Sequence, residues 1–317
     1  MVTNALRLIY FGTPDFAVPS LRKLIASPHR VVAVVSQPDR PRGRGQHLTP
    51  TATKAVALEH SIPMLQPEKI RTDRFLDDVK GLQADLGVVA AYGKILPETL
   101  LQIPRLGMIN VHGSLLPRWR GAAPVHRAVI AGDTVTGVTI MRVVKELDAG
   151  AMFATVRRPI APDDTSVDVE KDLAEMGGDL LVRVIDELAT GSAKETPQPT
   201  EGVTYASKIL KTEGLADWSL SATQLHNLIR GLQPWPLVST RLAGIRILVH
   251  RSAVLSETAD VAGGTIVRAS RDGLDVAGGD GVVLRLLALQ PEGRRVMTTS
   301  EFLASRRIEA GSRMEAG

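Results

Sequence analysis

Residues 6–35 read LRLIYFGTPDFAVPSLRKLIASPHRVVAVV. The stretch opens with an apolar run, residues 6–11, which reads as a strand. Gly12, Thr13, Pro14 and Asp15 turn the chain, and Pro14 suits an early helical position. Residues 16–26 then carry helical spacing, and residues 31–35 form a β-branched second strand. Strand, turn, helix and strand make a βαβ unit, which requires parallel pairing. The turn has only one glycine where a dinucleotide fingerprint has three, so the unit does not point to NAD or FAD.

Outward from this unit the α/β alternation continues. Helices are expected over 51–60, 71–80 and 97–102, and strands over 62–65 and 84–90. The second of these strands is apolar throughout, as a central parallel strand should be. A further strand ends in the run NVHGSLLPRWRGAAP, residues 110–124, and a helix is expected over 125–132. Strands over 136–144 and 152–160 follow, then a helix over 165–188 that Gly177 and Gly178 weaken at its middle. The short connection makes the last two strands antiparallel. Residues 191–202 are rich in Pro, Thr, Lys and Glu and have no periodicity. Beyond a helix at 222–230, capped by Ser221, short strands alternate with glycine turns over 237–289, the spacing of a small β-barrel. The expected architecture is α/β: an N-terminal Rossmann-like, doubly wound, mostly parallel sheet over 1–190, a linker over 191–211, and a smaller C-terminal OB-like β-barrel over 212–317.

At 317 residues, 44% apolar and 23% charged, the chain has ample material for two cores, and with 3% aromatics they must be aliphatic. The absence of cysteine excludes disulfides, thiolate catalysis and thiolate-held metals. No apolar run approaches the ~18 residues that span a bilayer, and no secretory signal pattern stands at the start, so a cytoplasmic protein without a membrane partner is expected. The net charge is +4, and the basic residues cluster. Residues 37–50, QPDRPRGRGQHLTP, hold three Pro, two Gly and three Arg, which fits no regular element. They read either as a solvated loop or as an arginine arm that orders against phosphates. Arg246, Arg251, Arg268, Arg271 and Arg285 are among the arginines of the barrel region.

Asn110 and His112 lie two apart at a strand end, so both side chains face one way. An amide NH₂ and an imidazole N–H converging there are donors for a developing oxyanion. Asp148 follows His112 by thirty-six residues, in the turn LDAG. It reaches the imidazole if the intervening strand neighbours the Asn110 strand, and then orients the ring or takes a proton itself. With no serine elbow and no cysteine, direct attack of a substrate amine on a carbonyl fits better than a covalent intermediate. One histidine is a poor metal site. By spacing alone, His112 also fits a structural residue, Asp148 a turn former, and residues 114–117 a rigid loop.

The run NxHxSLLPRWRGAAP, followed by TGVTIM (136–141) and LDAG (147–150), resembles the formyltransferases that use 10-formyltetrahydrofolate. The resemblance implies that Asn110, His112 and Asp148 are the catalytic trio and that Ser114, Leu115, Leu116 and Pro117 bind the folate co-substrate. FGTPDF (11–16), QPDRPRGRG (37–45), DWSLSA (217–222) and PWP (234–236) resemble the methionyl-tRNA formyltransferases in particular. Members of that group formylate the free α-amine of methionine on initiator methionyl-tRNA. The resemblance then implies tRNA binding by Arg44 and by the C-terminal barrel; a monomer is expected because tRNA must reach both domains, and no metal is expected. Formylation of a nucleotide-linked amino sugar is the alternative within the class.

Overall fold

The computed structural model describes residues 5–42, 47–304 and 306–316. The chain runs β1 (Arg7–Gly12), α1 (Ala17–Ala26), β2 (Arg30–Val35), β3 (Arg40–Arg42), β4 (His47–Thr49), α2 (Ala52–Glu59), β5 (Met64–Leu65), α3 (Asp73–Gly81), β6 (Leu86–Ala90), α4 (Glu98–Leu101) and β7 (Met108–His112). It continues through β8 (Arg120–Gly121), α5 (Pro124–Ala131), β9 (Val135–Arg142), β10 (Met152–Pro159), α6 (Ser166–Thr190) and β11 (Tyr205–Ala206). Two compact units result. The first comprises Met1–Pro124, Val135–Arg158 and Glu170–Ala206, and the second Val125–Thr134, Pro159–Val169 and Ser207–Gly317.

The first unit is built on a seven-stranded sheet in the order β10-β9-β7-β6-β1-β2-β5. The β5-β2-β1-β6-β7 part is parallel throughout, and β9 joins antiparallel to β7. Leu8, Ile9, Tyr10 and Phe11 of β1 are fully buried, because a central parallel strand is covered on both faces. On one face Ile9, Phe11, Ala33 and Val35 pack with Phe75 and Val79 of α3 and Leu100 and Leu101 of α4. On the other, the Tyr10 hydroxyl donates to the Ala17 carbonyl of α1 at 2.6 Å. Burial pushes that phenol above the ordinary tyrosine range. Gly177, expected to weaken α6, instead lets the helix approach the sheet: a Cβ there would stand 2.9 Å from Val111 Cγ1 of β7.

The arginine-rich segment departs from expectation. Its flanks, β3 and β4, pair antiparallel as a two-stranded ribbon, with Pro41 opposite Leu48. A ribbon has only edge strands, so a proline without an N–H is tolerated. Arg44 lies outside the described residues.

The second unit adds α7 (Ala222–Gly231), β12 (Val238–Leu242), β13 (Ile245–Thr258), β14 (Ile266–Ser270), β15 (Gly273–Ala277), β16 (Val282–Pro291), β17 (Met297–Thr298), α8 (Thr299–Ala304) and β18 (Met314–Ala316). Its sheet is antiparallel in the order β14-β15-β16-β13-β12-β18, with β17 paired to β16. Backbone bonds from Ile266 N to Ser312 O and from Met314 N to Gly264 O, 2.8 and 2.7 Å, tie residues near the two sheet edges together. The sheet is therefore curled into a half-barrel. Strand β13, at 14 residues, is longer than the short strands expected here, because register irregularities between Val249 and Thr258 break the alternation that sequence reading relies on. Ser221 caps α7 as expected, accepting from Gln224 N at 3.1 Å.

Candidate active site

The strand order places a switch point beside β1. The chain leaves β1 toward β2 and β5 and then crosses to β6 on the other side. In such sheets the carboxyl ends of the strands at the reversal are the ligand edge. Register aligns Gly12 with Ala90, and Val89 with Asn110, so the ends of β1, β6 and β7 share that edge. Bonds across it join the loops: Thr13 Oγ1 donates to Tyr92 O at 3.2 Å, and Gln37 Nε2 to the same carbonyl at 3.1 Å. The Tyr92 ring meets Phe11 edge-on at 5.4 Å, and burial pushes its phenol up to about 12.

Asn110 and His112 are the third and fifth residues of β7, on the strand itself rather than beyond it. Among the described residues nothing hydrogen-bonds the Asn110 carboxamide, so its donors remain open to a ligand. His112 is buried, and its Nε2 lies 2.9 Å from the Trp119 carbonyl. A carbonyl only accepts, so Nε2 carries a proton and donates it. Nδ1 then faces Asp148 Oδ2 at 3.8 Å, a charge contact longer than a hydrogen bond. The neighbouring strand that sequence reasoning required is present: β9 pairs with β7, His112 standing opposite Thr139. The structure thus brings Asp148 to the imidazole.

Asp148 adopts φ +47°, left-handed and sparsely populated for a residue with a side chain, though least costly for Asp and Asn. Its Oδ2 accepts from Gly121 N at 2.8 Å. Two residues on, Gly150 leaves no room for a side chain, since a Cβ would stand 2.0 Å from the Arg142 carbonyl oxygen. Gly150→Ala must push the Asp148 turn off β9. We expect it to cost about 1–3 kcal/mol of stability and to lower turnover as well, measured by thermal melting and steady-state kinetics of the same preparation; a variant with wild-type values in both would show that the turn yields freely.

Of residues 114–117, Ser114 and Leu116 are buried while Leu115 and Pro117 are half-buried. Ser114 Oγ donates to the Arg118 carbonyl at 2.6 Å. Thr139 of β9 clamps the loop, donating to Ser114 O at 2.7 Å and accepting from Leu116 N at 3.2 Å. Ser114 therefore sets the loop's shape, and Leu115 and Pro117 are the side chains with exposed surface.

Sequence reasoning missed the residues that hold this site from behind. The 191–206 tract, aperiodic in sequence, is part of the first unit. Thr204 Oγ1 accepts from Trp119 N at 2.9 Å, and Tyr205 and Ala206 of β11 pair with Arg120 and Gly121 of β8. Gln198 Nε2 lies 2.8 Å from Asp148 O and 2.9 Å from Gly150 O, and its Oε1 accepts from Arg120 Nη2 at 2.7 Å. No local pattern points to Thr204 or Gln198, because their partners lie far off in the chain. Among the described residues no group of three His, Asp or Glu is placed to hold a metal, and no helix is long and apolar enough to cross a membrane.

Two family patterns match the chain: formyl transferase over residues 6–185, and formyl transferase, C-terminal domain, over residues 208–307. The chain belongs to the formyl transferase family. Solved structures share its fold at low identity. One is the N-formyltransferase of Helicobacter canadensis in complex with folinic acid and dTDP-3-aminofucose, 16% identical, TM-score 0.66, over 89% of this chain and 98% of that one. Another is WlaRD, a sugar 3N-formyl transferase solved with dTDP and 5-N-formyl-THF, 18% identical, TM-score 0.67, over 92% and 99%. A third is HypX of Aquifex aeolicus in complex with tetrahydrofolic acid, 13% identical, TM-score 0.60, which aligns with 98% of this chain over 51% of its own length.

Proposed function

We propose that this protein transfers the formyl group of 10-formyltetrahydrofolate to the α-amine of methionine on initiator methionyl-tRNA. The observation that carries the reading is the contact of His112 Nδ1 with Asp148 Oδ2 at 3.8 Å, on the strand end that also carries Asn110. The amine lone pair attacks the formyl carbon, and the carbonyl π electrons move to its oxygen. Asn110 donates to that oxyanion. His112 donates to it from Nδ1, because Nε2 is committed to Trp119, and Asp148 faces that nitrogen. Asp148, through water, receives the proton leaving the nitrogen. Collapse of the intermediate expels the folate nitrogen, which takes up a proton. Leu115 and Pro117, with Ser114 and Leu116 shaping their loop, form the wall for the folate; complexes of the structural neighbours with folinic acid and tetrahydrofolic acid support a folate donor.

The tRNA acceptor rests on the sequence features at 11–16, 37–45, 217–222 and 234–236. In this reading residues 1–190 are catalytic, 191–211 link, and 212–317 bind tRNA, in a cytoplasmic monomer. Arg268 and Arg285 are committed to Asp275, Arg295 pairs with Glu301 and Arg307 with Glu309, which leaves Arg246, Arg251, Arg271, Arg294 and Arg306 among the barrel's candidates for phosphates. Arg44→Ala is expected to raise the KM for methionyl-tRNA and to lower the slope of log affinity against log salt by about 1. An unchanged KM and slope would leave the arginine segment without a role in RNA binding.

A second reading is favoured by the structural neighbours named for sugars: the acceptor is a nucleotide-linked amino sugar. One assay separates the two. Purified protein with 10-formyltetrahydrofolate is given methionyl-tRNA or a dTDP-amino sugar, and folate absorbance is followed. Turnover with the tRNA alone supports the proposal; turnover with the sugar alone replaces it.

A further inference from the structure

The segment 196–206 bonds Asp148 directly and bonds Trp119, whose carbonyl holds His112. It is anchored by the backbone pairing of Thr196 with Met152, where the two residues exchange bonds of 2.8 and 2.9 Å. At its other end Thr204 accepts from Trp119 N through its hydroxyl and from Arg120 N through its carbonyl, both at 2.9 Å. The residue so gripped, Trp119, has φ +65° and presents the carbonyl that holds His112 Nε2. Between these anchors sits Gln198. Its orientation is unambiguous, since Arg120 can only donate and two carbonyls can only accept. Oε1 takes two bonds from Arg120, at 3.1 Å from Nε and 2.7 Å from Nη2, and Nε2 gives its protons to Asp148 O and Gly150 O.

We infer that Gln198, oriented by Arg120, is a positioning residue that sets the backbone of residues 148–150 and thereby the distance from the Asp148 carboxylate to His112. The turn it bridges is one the chain adopts reluctantly, with Asp148 left-handed and Gly150 packed against the Arg142 carbonyl. The carboxylate itself has one backbone donor, Gly121 N, and Gly121 stands next to Arg120. One amide therefore ties both sides of the carboxylate's setting: the turn that carries it, and the arginine adjoining its donor. Gln198 lies out of contact with reacting atoms and acts through Asp148. The inference rests on the trio's proposed role in formyl transfer.

The test is a double-mutant cycle on kinetics. A shift of about 1 Å in a reacting group costs on the order of 10²-fold in rate, so Gln198→Ala should lower kcat by roughly that factor while both KM values stay within about twofold. Gln198→Glu keeps the acceptor for Arg120 and loses both donors to the turn; it should show the same kcat loss with an unchanged melting temperature, which covers the case in which the alanine variant folds poorly. In an Asp148→Asn background the Gln198 substitutions should cost nothing further, because the group through which they act is gone. Full additivity of the two losses, a Gln198→Glu enzyme with wild-type kcat, or a loss confined to KM would each overturn the inference. Wild-type protein that transfers no formyl group to either acceptor would overturn the proposed function instead, so the two failures are distinguishable.

Discussion

Asn110→Ala is expected to lower formyl-transfer turnover by about 10²–10³-fold, with the melting temperature and the acceptor KM unchanged. The size follows from removing one preorganised donor to an oxyanion in a partly dry site. The absence of a folding effect follows from the geometry: among the described residues the carboxamide has no hydrogen-bond partner to abandon, and Asn110 is only half-buried. Asn110 is for this reason a cleaner probe than His112. Replacing His112 by Ala would also free the Trp119 carbonyl and the loop behind it, mixing chemistry with structure. Single-turnover formyl transfer under saturating folate and acceptor isolates the chemical step. A variant that keeps wild-type turnover removes Asn110 from the mechanism, and with it the oxyanion reading of β7.

Asp275→Asn should be the most damaging single change in the second unit. The Asp275 carboxylate is fully buried on β15 between two guanidinium groups. Arg285 approaches at 2.6 and 2.9 Å, and Arg268, which also contacts Glu257, at 2.8 Å. Burial alone would push this carboxyl up; the hydrogen bonds from Arg285 and Arg268 outweigh it and hold the carboxyl below the usual range. Removing the charge from a buried pair costs about 3–5 kcal/mol. The low end applies, because Arg268 is half-exposed and stays partly hydrated. A loss of about 3 kcal/mol lowers the unit's melting temperature by on the order of 10 °C. The pH dependence has a definite sign. A carboxyl depressed in the folded state stabilises fully above the unfolded value of about 4, and that contribution fades as pH falls toward the lower folded value. The gap between wild type and Asp275→Asn should therefore be wide at neutral pH and narrow in acid. A gap that widened in acid, or none at neutral pH, would show that the ion cluster contributes nothing to stability.

Local regularities carried much of this molecule into its sequence. The βαβ unit was legible because period and turn chemistry agree over residues 6–35, and each strand of the first sheet falls within a few residues of its expected place. Ser221 announced its helix, since a cap needs only its own turn. In the half-barrel the signal faded where bulges broke the alternation of β13; β18 left no trace because its partner β12 lies far off in the chain, and α8, six residues long, is too short to show a period. The arginine segment read as irregular, yet its flanks pair as a ribbon, since proline counts against a central strand and not against an edge.

The site divides in the same way. Asn110 and His112 share one strand, so their common face follows from a two-residue period, and Asp148 stood out as a polar group in a turn. That Nε2 of His112 is taken and Nδ1 is left facing Asp148 is a tertiary fact, set by the carbonyl of Trp119 seven residues away. So is the strap of Gln198 and Thr204, whose partners lie 50 and 85 residues away and whose own surroundings are aperiodic. Hydrophobic period and turn chemistry are written within a few residues of where they act, so the parallel sheet was legible in sequence alone, while the candidate trio was named by the family resemblance. Hydrogen bonds between distant loops have no period, and only the folded chain decided which proton His112 can offer and what holds Asp148 in its place.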